Sequence, residues 1–320
     1  MTSRRLEDPR HPRFNLRVYQ HDGSLLAALI LPTDRCDRYI LPGMLLQYCS
    51  SIFIFPNQDD WAIYKLQGDG TAGIPLRHSS RAAVDPGNYI VMDKNKNPIT
   101  VTLASNSAPH RVRTQDPDTQ SQVQRERDHL QKAFRNTLRE RDGCCVITGQ
   151  NRPFDDEDPF QGLDATHVFP TAMLEEWGRD GYRQYITDTR PNSEIGESGL
   201  FSAQNGLLLS ADTHALFDAF SIGIDPDAEY KIIVFVQDPS RMGGTRLRHT
   251  ARSGVDRVSH ELLRWHLRMC LYKNLKANAE PRAIWDEDLG EDPMGSILRQ
   301  SDAAERMEVE LFTRLGGLIA

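Results

Sequence analysis

Residues 141–149 read RDGCCVITG, residues 164–170 read DATHVFP, and residues 205–225 read NGLLLSADTHALFDAFSIGID. Val168 and Phe169 give the first histidine a strand-like, apolar setting, and residues 205–209 are apolar and extended in character. From Ala211 the pattern turns helical, with Leu216, Phe217 and Phe220 at spacings of three and four, and Asp212 stands where a helix N-cap is expected. His214 and Asp218, four residues apart, then share one helix face. An imidazole and a carboxylate so placed can hold one divalent cation, with His167 opposite them as a base.

The order His167, Asn205, His214, with nine residues from Asn to the last His, resembles the HNH endonucleases and their ββα-metal fold. The closest likeness is to a branch common in fungal proteins, with H-[IV]-x-P at the first histidine and H-x-L-F-D at the last; HVFP and HALFD fit both. The resemblance covers about 85 residues. It implies an α+β chain built on that core. It also implies roles: His167 activates water, Asn205 pins the loop that orients His167, and His214 binds the metal with Asp218 one turn on.

Two positions depart from the family pattern. Many members carry a metal-binding Asp or His immediately before the first histidine, where this chain has Thr166; Asp164, two residues back, is on the same strand face and is the substitute. Many relatives also carry two CxxC knuckles around a structural zinc. The corresponding places are Cys145 with Thr148 and Ser210 with Thr213, and one cysteine of four makes no such site. The cofactor expected is therefore one divalent ion (Mg²⁺, Mn²⁺, Ni²⁺ or Zn²⁺), with no structural zinc.

The chain has 320 residues, 39% hydrophobic and 26% charged, with net charge −7. These are the proportions of an ordinary globular protein long enough for two domains, and the acidic total gives no general attraction to nucleic acid. Five cysteines with no CxxC pair suggest a reducing compartment. The amino terminus has no apolar run of the secretory type, and LLAALIL and SIFIF fall short of a membrane span. The expectation is an intracellular protein, nuclear or cytoplasmic, without a membrane partner.

Residues 1–115 read as a β-rich domain and linker. FNLRVYQ and SLLAALIL flank His21-Asp22-Gly23, a hairpin turn. WAIYKLQ, NYIVMD and PITVTL are further strands, and LPGMLLQYCSS is a short helix with Pro42 near its start. His78 and His110 are isolated and read as surface or loop residues. Residues 104–121 form a polar linker. QVQRERDHLQKAFRNTLRERD is then a helix with Val123, Leu130, Phe134 and Leu138 along one stripe, leading into a strand at Cys144-Cys145. It opens a nuclease-like domain over 116–282.

That domain holds an insertion at 170–200, and residues 150–200 carry 11 acids against 4 basic residues, a poor surface for phosphates. FSIGID and YKIIVFV flank Pro226-Asp227 as a second hairpin. Residues 241–282 reverse the sign, with 10 basic residues against 3 acids. The helix expected over 256–276 turns Leu262, Leu263, Met269 and Cys270 inward. It leaves Arg257, Arg264, Arg268 and Lys276 outward as nucleic-acid contacts, with His260 and His266 on its surface. Residues 283–320, with 9 acids and 3 arginines, read as an acidic helical extension suited to dimerisation or to packing on the N-terminal domain.

Taken singly, His167 is a strand-end histidine, Asn205 a turn residue, and His214 with Asp218 a surface ion pair. Their joint order and context favour metal-dependent hydrolysis of phosphodiester bonds in DNA, with His167, at its ordinary pKa, as general base. Two other readings stand beside it: a binding or regulatory protein that keeps the scaffold without catalysis, and an enzyme acting on a small molecule.

Overall fold

The computed structural model describes residues 14–32, 39–56, 60–109, 122–150 and 159–277. The expected C-terminal helix over 297–317, His110 and most of the 104–121 linker lie outside the described residues. The described chain mixes helices and strands, with the sheet concentrated in its N-terminal region.

The N-terminal region contributes β1 (Leu16–Tyr19), β2 (Leu25–Leu29), α1 (Pro42–Ile52), β3 (Phe53–Ile54), β4 (Trp61–Leu66), β5 (Ala72–Pro75), β6 (Gly87–Asp93) and β7 (Thr102–Leu103). Five strands form one sheet in the order β2-β1-β6-β4-β5, in which β1 pairs antiparallel with β2 and parallel with β6. The Asp-Gly turn forms as expected. Gly23 takes φ +88, a conformation that favours glycine, and Asp22 accepts a hydrogen bond from Ser24 N at 2.8 Å. The strand expected at 98–103 shrinks to β7, paired with β3. Pro42 opens α1 at a position where its missing N–H costs nothing.

The second half contains α2 (Gln122–Asp142), β8 (Leu163–His167), α3 (Leu174–Arg179), α4 (Asn192–Ile195), β9 (Gly206–Ser210), α5 (Ala211–Asp218), β10 (Ile222–Asp225), β11 (Lys231–Val234), α6 (His249–Arg252) and α7 (His260–Asn274). β8 and β9 pair antiparallel, with His167 opposite Gly206, and β10 and β11 form the second expected hairpin. Residues 144–149 are a turn rather than a strand. Gly149 N donates to Cys145 O at 2.8 Å, and Gly149 takes φ +73.

Buried side chains from residues 16–104 and 145–275 form one continuous cluster. Three polar links tie its parts together. Tyr39 Oη donates to Val234 O and accepts from Val234 N. Tyr48 Oη donates to Asp225 at 2.7 Å. Lys276 Nζ donates to the carbonyls of Ala104 and Asn106 at 2.9 and 2.6 Å. In the insertion, Trp177 is buried and packs against Phe169 and Tyr182, and Tyr182 meets Trp265 of α7.

Helix α7 is longer in its apolar reach than its sequence pattern suggests. Leu262, Leu263, Met269 and Cys270 are buried as expected, but so are Trp265, His266, Leu267, Leu271 and Tyr272. The helix lies between α1 and β10, so most of its circumference faces protein.

Candidate active site

The β8–β9 hairpin has a different helix on each face. Along β8, Leu163, Ala165 and His167 alternate with Asp164 and Thr166. Ala165 and His167 meet α2: Phe134 and Leu138 are buried against Ala165, Ala203 and Phe201, and Phe134 lies on the His167 ring. Each such aromatic or leucine contributes about 1.5–3 kcal/mol. This approach depends on Gly206, where an added Cβ would lie 2.4 Å from Phe134 Cζ. The second set meets α5, where Asp164 reaches His214.

His167 stands at the end of β8. Its ring stacks on Phe134, with centroids 4.0 Å apart and the planes parallel, and meets the edge of Phe201 at 5.4 Å. This burial pushes its pKa down to about 3; Asp218 and the Leu200 carbonyl work in the opposite direction without prevailing. The expectation of an ordinary pKa is therefore corrected: His167 is neutral far below pH 6.5.

Asn205 closes a 3-10 turn over Ala203–Asn205 and is completely buried. Its Oδ1 accepts from Phe169 N at 2.8 Å, and its Nδ2 donates to the carbonyls of Phe169 and Leu200 at 3.1 and 3.0 Å. Its main-chain carbonyl accepts from Val168 N at 2.9 Å. Asn205 thereby holds the chain that leaves His167 through three polar groups, Val168 N, Phe169 N and Phe169 O. Arg141 fixes the turn itself, donating to the carbonyls of Ala203 and Gly206 at 2.8 and 2.9 Å while pairing with Asp142 at 2.7 Å.

His214 lies between two carboxylates. Its Nδ1 is 3.0 Å from Asp164 Oδ2 and its Nε2 is 3.2 Å from Asp218 Oδ2. Burial disfavours charge on this ring, but the hydrogen bonds and charges of Asp218 and Asp164 outweigh it and hold the pKa above the ordinary imidazole value. Ser210 occupies the N-cap position of helix α5 without a side-chain capping bond, and Asp212 lies inside the first turn instead of at the N-cap. Thr166 is buried, and its hydroxyl has no hydrogen-bond partner.

The four positions at which relatives carry knuckle cysteines also meet. Ser210 Oγ donates to Cys145 Sγ at 3.7 Å and lies 2.8 Å from Thr213 Oγ1, and Thr148 N donates to Cys145 Sγ at 3.4 Å. Burial raises the Cys145 pKa, but the hydrogen bonds from Thr148, Ser210 and Ile147 outweigh it and lower the value.

Among the described residues, no group of three His, Cys, Asp or Glu side chains is arranged to hold a metal ion. The physical reason at Asp164, His214 and Asp218 is that both ring nitrogens are engaged by carboxylates. The donor chemistry nonetheless suits a divalent ion: two hard oxygens and one imidazole. Binding would require His214 to exchange one carboxylate for the ion.

The expected nucleic-acid contacts divide. Arg257 and Arg268 are exposed. Arg264 is half-buried and paired with Asp227 and Glu261 at 2.6 and 2.5 Å, and Lys276 is buried on two carbonyls, so Lys276 is not available outward. His266 is likewise buried, not on the surface. It stacks on Phe217 at 3.7 Å, its Nε2 donates to the Phe217 carbonyl at 3.1 Å, and burial lowers its pKa to about 4. Sequence reasoning missed Gln131, whose Oε1 is 3.5 Å from His167 Nε2; nothing in a polar helix position flags such a neighbour. No helix among the described residues is long and apolar enough to cross a membrane.

Residues 145–225 match the model of a family described as HNH endonuclease, a segment that holds Asp164, His167, Asn205, His214 and Asp218. No curated protein and no solved structure matches the chain.

Proposed function

Taking residues 145–225 as an HNH endonuclease domain, we propose that the protein is a metal-dependent endonuclease that hydrolyses phosphodiester bonds in DNA from a ββα-metal core made of β8, β9 and α5. The observation that carries this reading is the Asn205 clasp, which fixes the loop leaving His167 at both Phe169 and Leu200. His167, neutral through its low pKa, takes the proton of the attacking water. Asn205 holds that ring in place and need not touch substrate. His214, Asp218 and Asp164 would hold the divalent ion, which supplies stabilisation of the charge developing on the phosphate and the leaving oxygen.

Phosphate contacts fall to Arg257 and Arg268, and to Lys132 and Arg135, which are exposed on the helix that covers His167. A non-catalytic scaffold is the second reading, favoured by the unpartnered Thr166 hydroxyl and by the engagement of both His214 nitrogens.

The experiment is cleavage of supercoiled plasmid and single-stranded DNA with Mg²⁺, Mn²⁺, Ni²⁺ or chelator, beside His167→Ala. Metal-dependent nicking lost in the variant is expected. Folded protein that nicks under no metal, or a His167→Ala protein that cuts at the wild-type rate, overturns the reading.

A further inference from the structure

Helix α2 lies outside the family-matched segment, yet it supplies two side chains to the proposed base. Their arrangement follows from the protons on His167. Both hydrogens of Asn205 Nδ2 are taken up by the carbonyls of Phe169 and Leu200 at 3.1 and 3.0 Å, leaving none for His167 Nδ1 at 3.4 Å. The neutral ring therefore carries its proton on Nδ1, with Leu200 as its backbone hydrogen-bond partner, and its lone pair on Nε2. Facing that lone pair at 3.5 Å is Oε1 of Gln131.

Two acceptors at this separation have no hydrogen between them. A water that gives one hydrogen to each satisfies both. The geometry points to Gln131 as the residue that orients the attacking water for His167, an inference that rests on the nuclease reading. In the step so arranged, the water oxygen forms the new bond to phosphorus and its proton passes to His167 Nε2. The second hydrogen stays on the attacking oxygen, hydrogen-bonded to Gln131 Oε1, and the bond from phosphorus to the leaving oxygen breaks with its electron pair on that oxygen. Phe134, three residues further along α2, stacks on the imidazole at 4.0 Å and fixes the plane of the ring. Gln131 itself is exposed, so solvent reaches the space it borders.

The opposite orientation of the same carboxamide makes a different prediction. With its NH2 toward Nε2, Gln131 would donate to the lone pair and plug the base. The two are separated by steady-state nicking with the full chain as wild type, Gln131→Leu and Gln131→Glu, across a pH series, with circular dichroism to confirm folding. Gln131→Leu is expected to lose kcat by ~10²-fold, the scale of a misplaced reactant, with KM little changed. Gln131→Glu keeps acceptor oxygens and cannot donate; it is expected to retain activity and to move the acid limb of the pH profile upward, because its charge favours the imidazolium. A Gln131→Leu protein with unchanged kcat overturns the inference, and a faster one shows the carboxamide to be a plug. Wild type that nicks nothing under any metal overturns the nuclease reading and this inference together, whereas His167-dependent nicking indifferent to Gln131 overturns this inference alone.

Discussion

His214 Nδ1 and Asp164 Oδ2 lie 3.0 Å apart, joining helix α5 to strand β8 across 50 residues of sequence. With Asp218 on the other ring nitrogen, the imidazole is the hub of a polar set with the donor chemistry of a cation site. Asp164→Asn keeps a hydrogen-bonding group there but removes the charge. We expect the stabilisation of wild type by Mn²⁺ or Ni²⁺, read as a rise in Tm over the chelated protein, to require about tenfold more metal in Asp164→Asn and to vanish in His214→Ala. Equal metal dependence in wild type and Asp164→Asn would remove Asp164 from the ligand set.

Thr166 offers the complementary test. It shares a strand face with Asp164 and its buried hydroxyl has no partner. Thr166→Asp places a carboxylate where relatives carry a ligand. Without metal, that buried charge costs on the order of a few kcal/mol, so Tm in chelator should fall below wild type. Added Mn²⁺ should then recover more stability than it gives wild type. A variant whose Tm stays low with metal would show that position 166 faces no cation.

Much of this arrangement was legible in the sequence, because local periodicity and turn chemistry dictate it. The hairpin at Asp22-Gly23, the helix of His214 and Asp218, the strand that ends at His167 and the strand that follows Asn205 are all local patterns. What was not legible depends on three-dimensional neighbours. His266 reads as a surface residue from the mixed pattern of α7, but that helix packs against both α1 and β10, and Lys276, just past its end, bridges to Ala27 and is buried on the carbonyls of Ala104 and Asn106. Arg264 reads as a free cation until Asp227, 37 residues away in sequence, is seen beside it. The burial that lowers the His167 pKa comes from Phe134 and Phe201, one before the matched segment and one just after its insertion.

Acid should destabilise the metal-free protein in a way that His266 reports. The folded pKa values of His167 and His266, about 3 and about 4, lie below the ordinary imidazole value of 6.5. The unfolded chain therefore takes up protons first as pH falls through 6.5, and the stability present above that pH is lost toward the folded values, by at most about 1.4 kcal/mol per pH unit per histidine. His214, with a raised pKa, has the opposite sign: its contribution is present below 6.5 and is lost as pH rises through its folded value. Urea unfolding at pH 7 and pH 5 should show a smaller loss in His266→Gln than in wild type. An identical loss would mean that His266 is not held neutral by its burial.

The seam of Cys145, Thr148, Ser210 and Thr213 makes the last prediction. Thr148 N donates to the Cys145 sulfur, Ser210 lies 3.7 Å from that sulfur, and Thr213 lies 2.8 Å from Ser210. Hydrogen bonds already hold the Cys145 pKa below its ordinary value, so the backbone is arranged to favour a thiolate. Four cysteines on this frame meet the donor requirement of a structural zinc. We expect Thr148→Cys, Ser210→Cys and Thr213→Cys combined to bind one Zn²⁺ per chain, to show the visible bands of tetrahedral thiolate coordination with Co²⁺, and to lose Tm on chelation. Ser210→Cys alone, with two sulfurs, should do none of these. A triple variant that folds and binds no metal would show that the two turns, though close, do not hold the geometry of a knuckle pair.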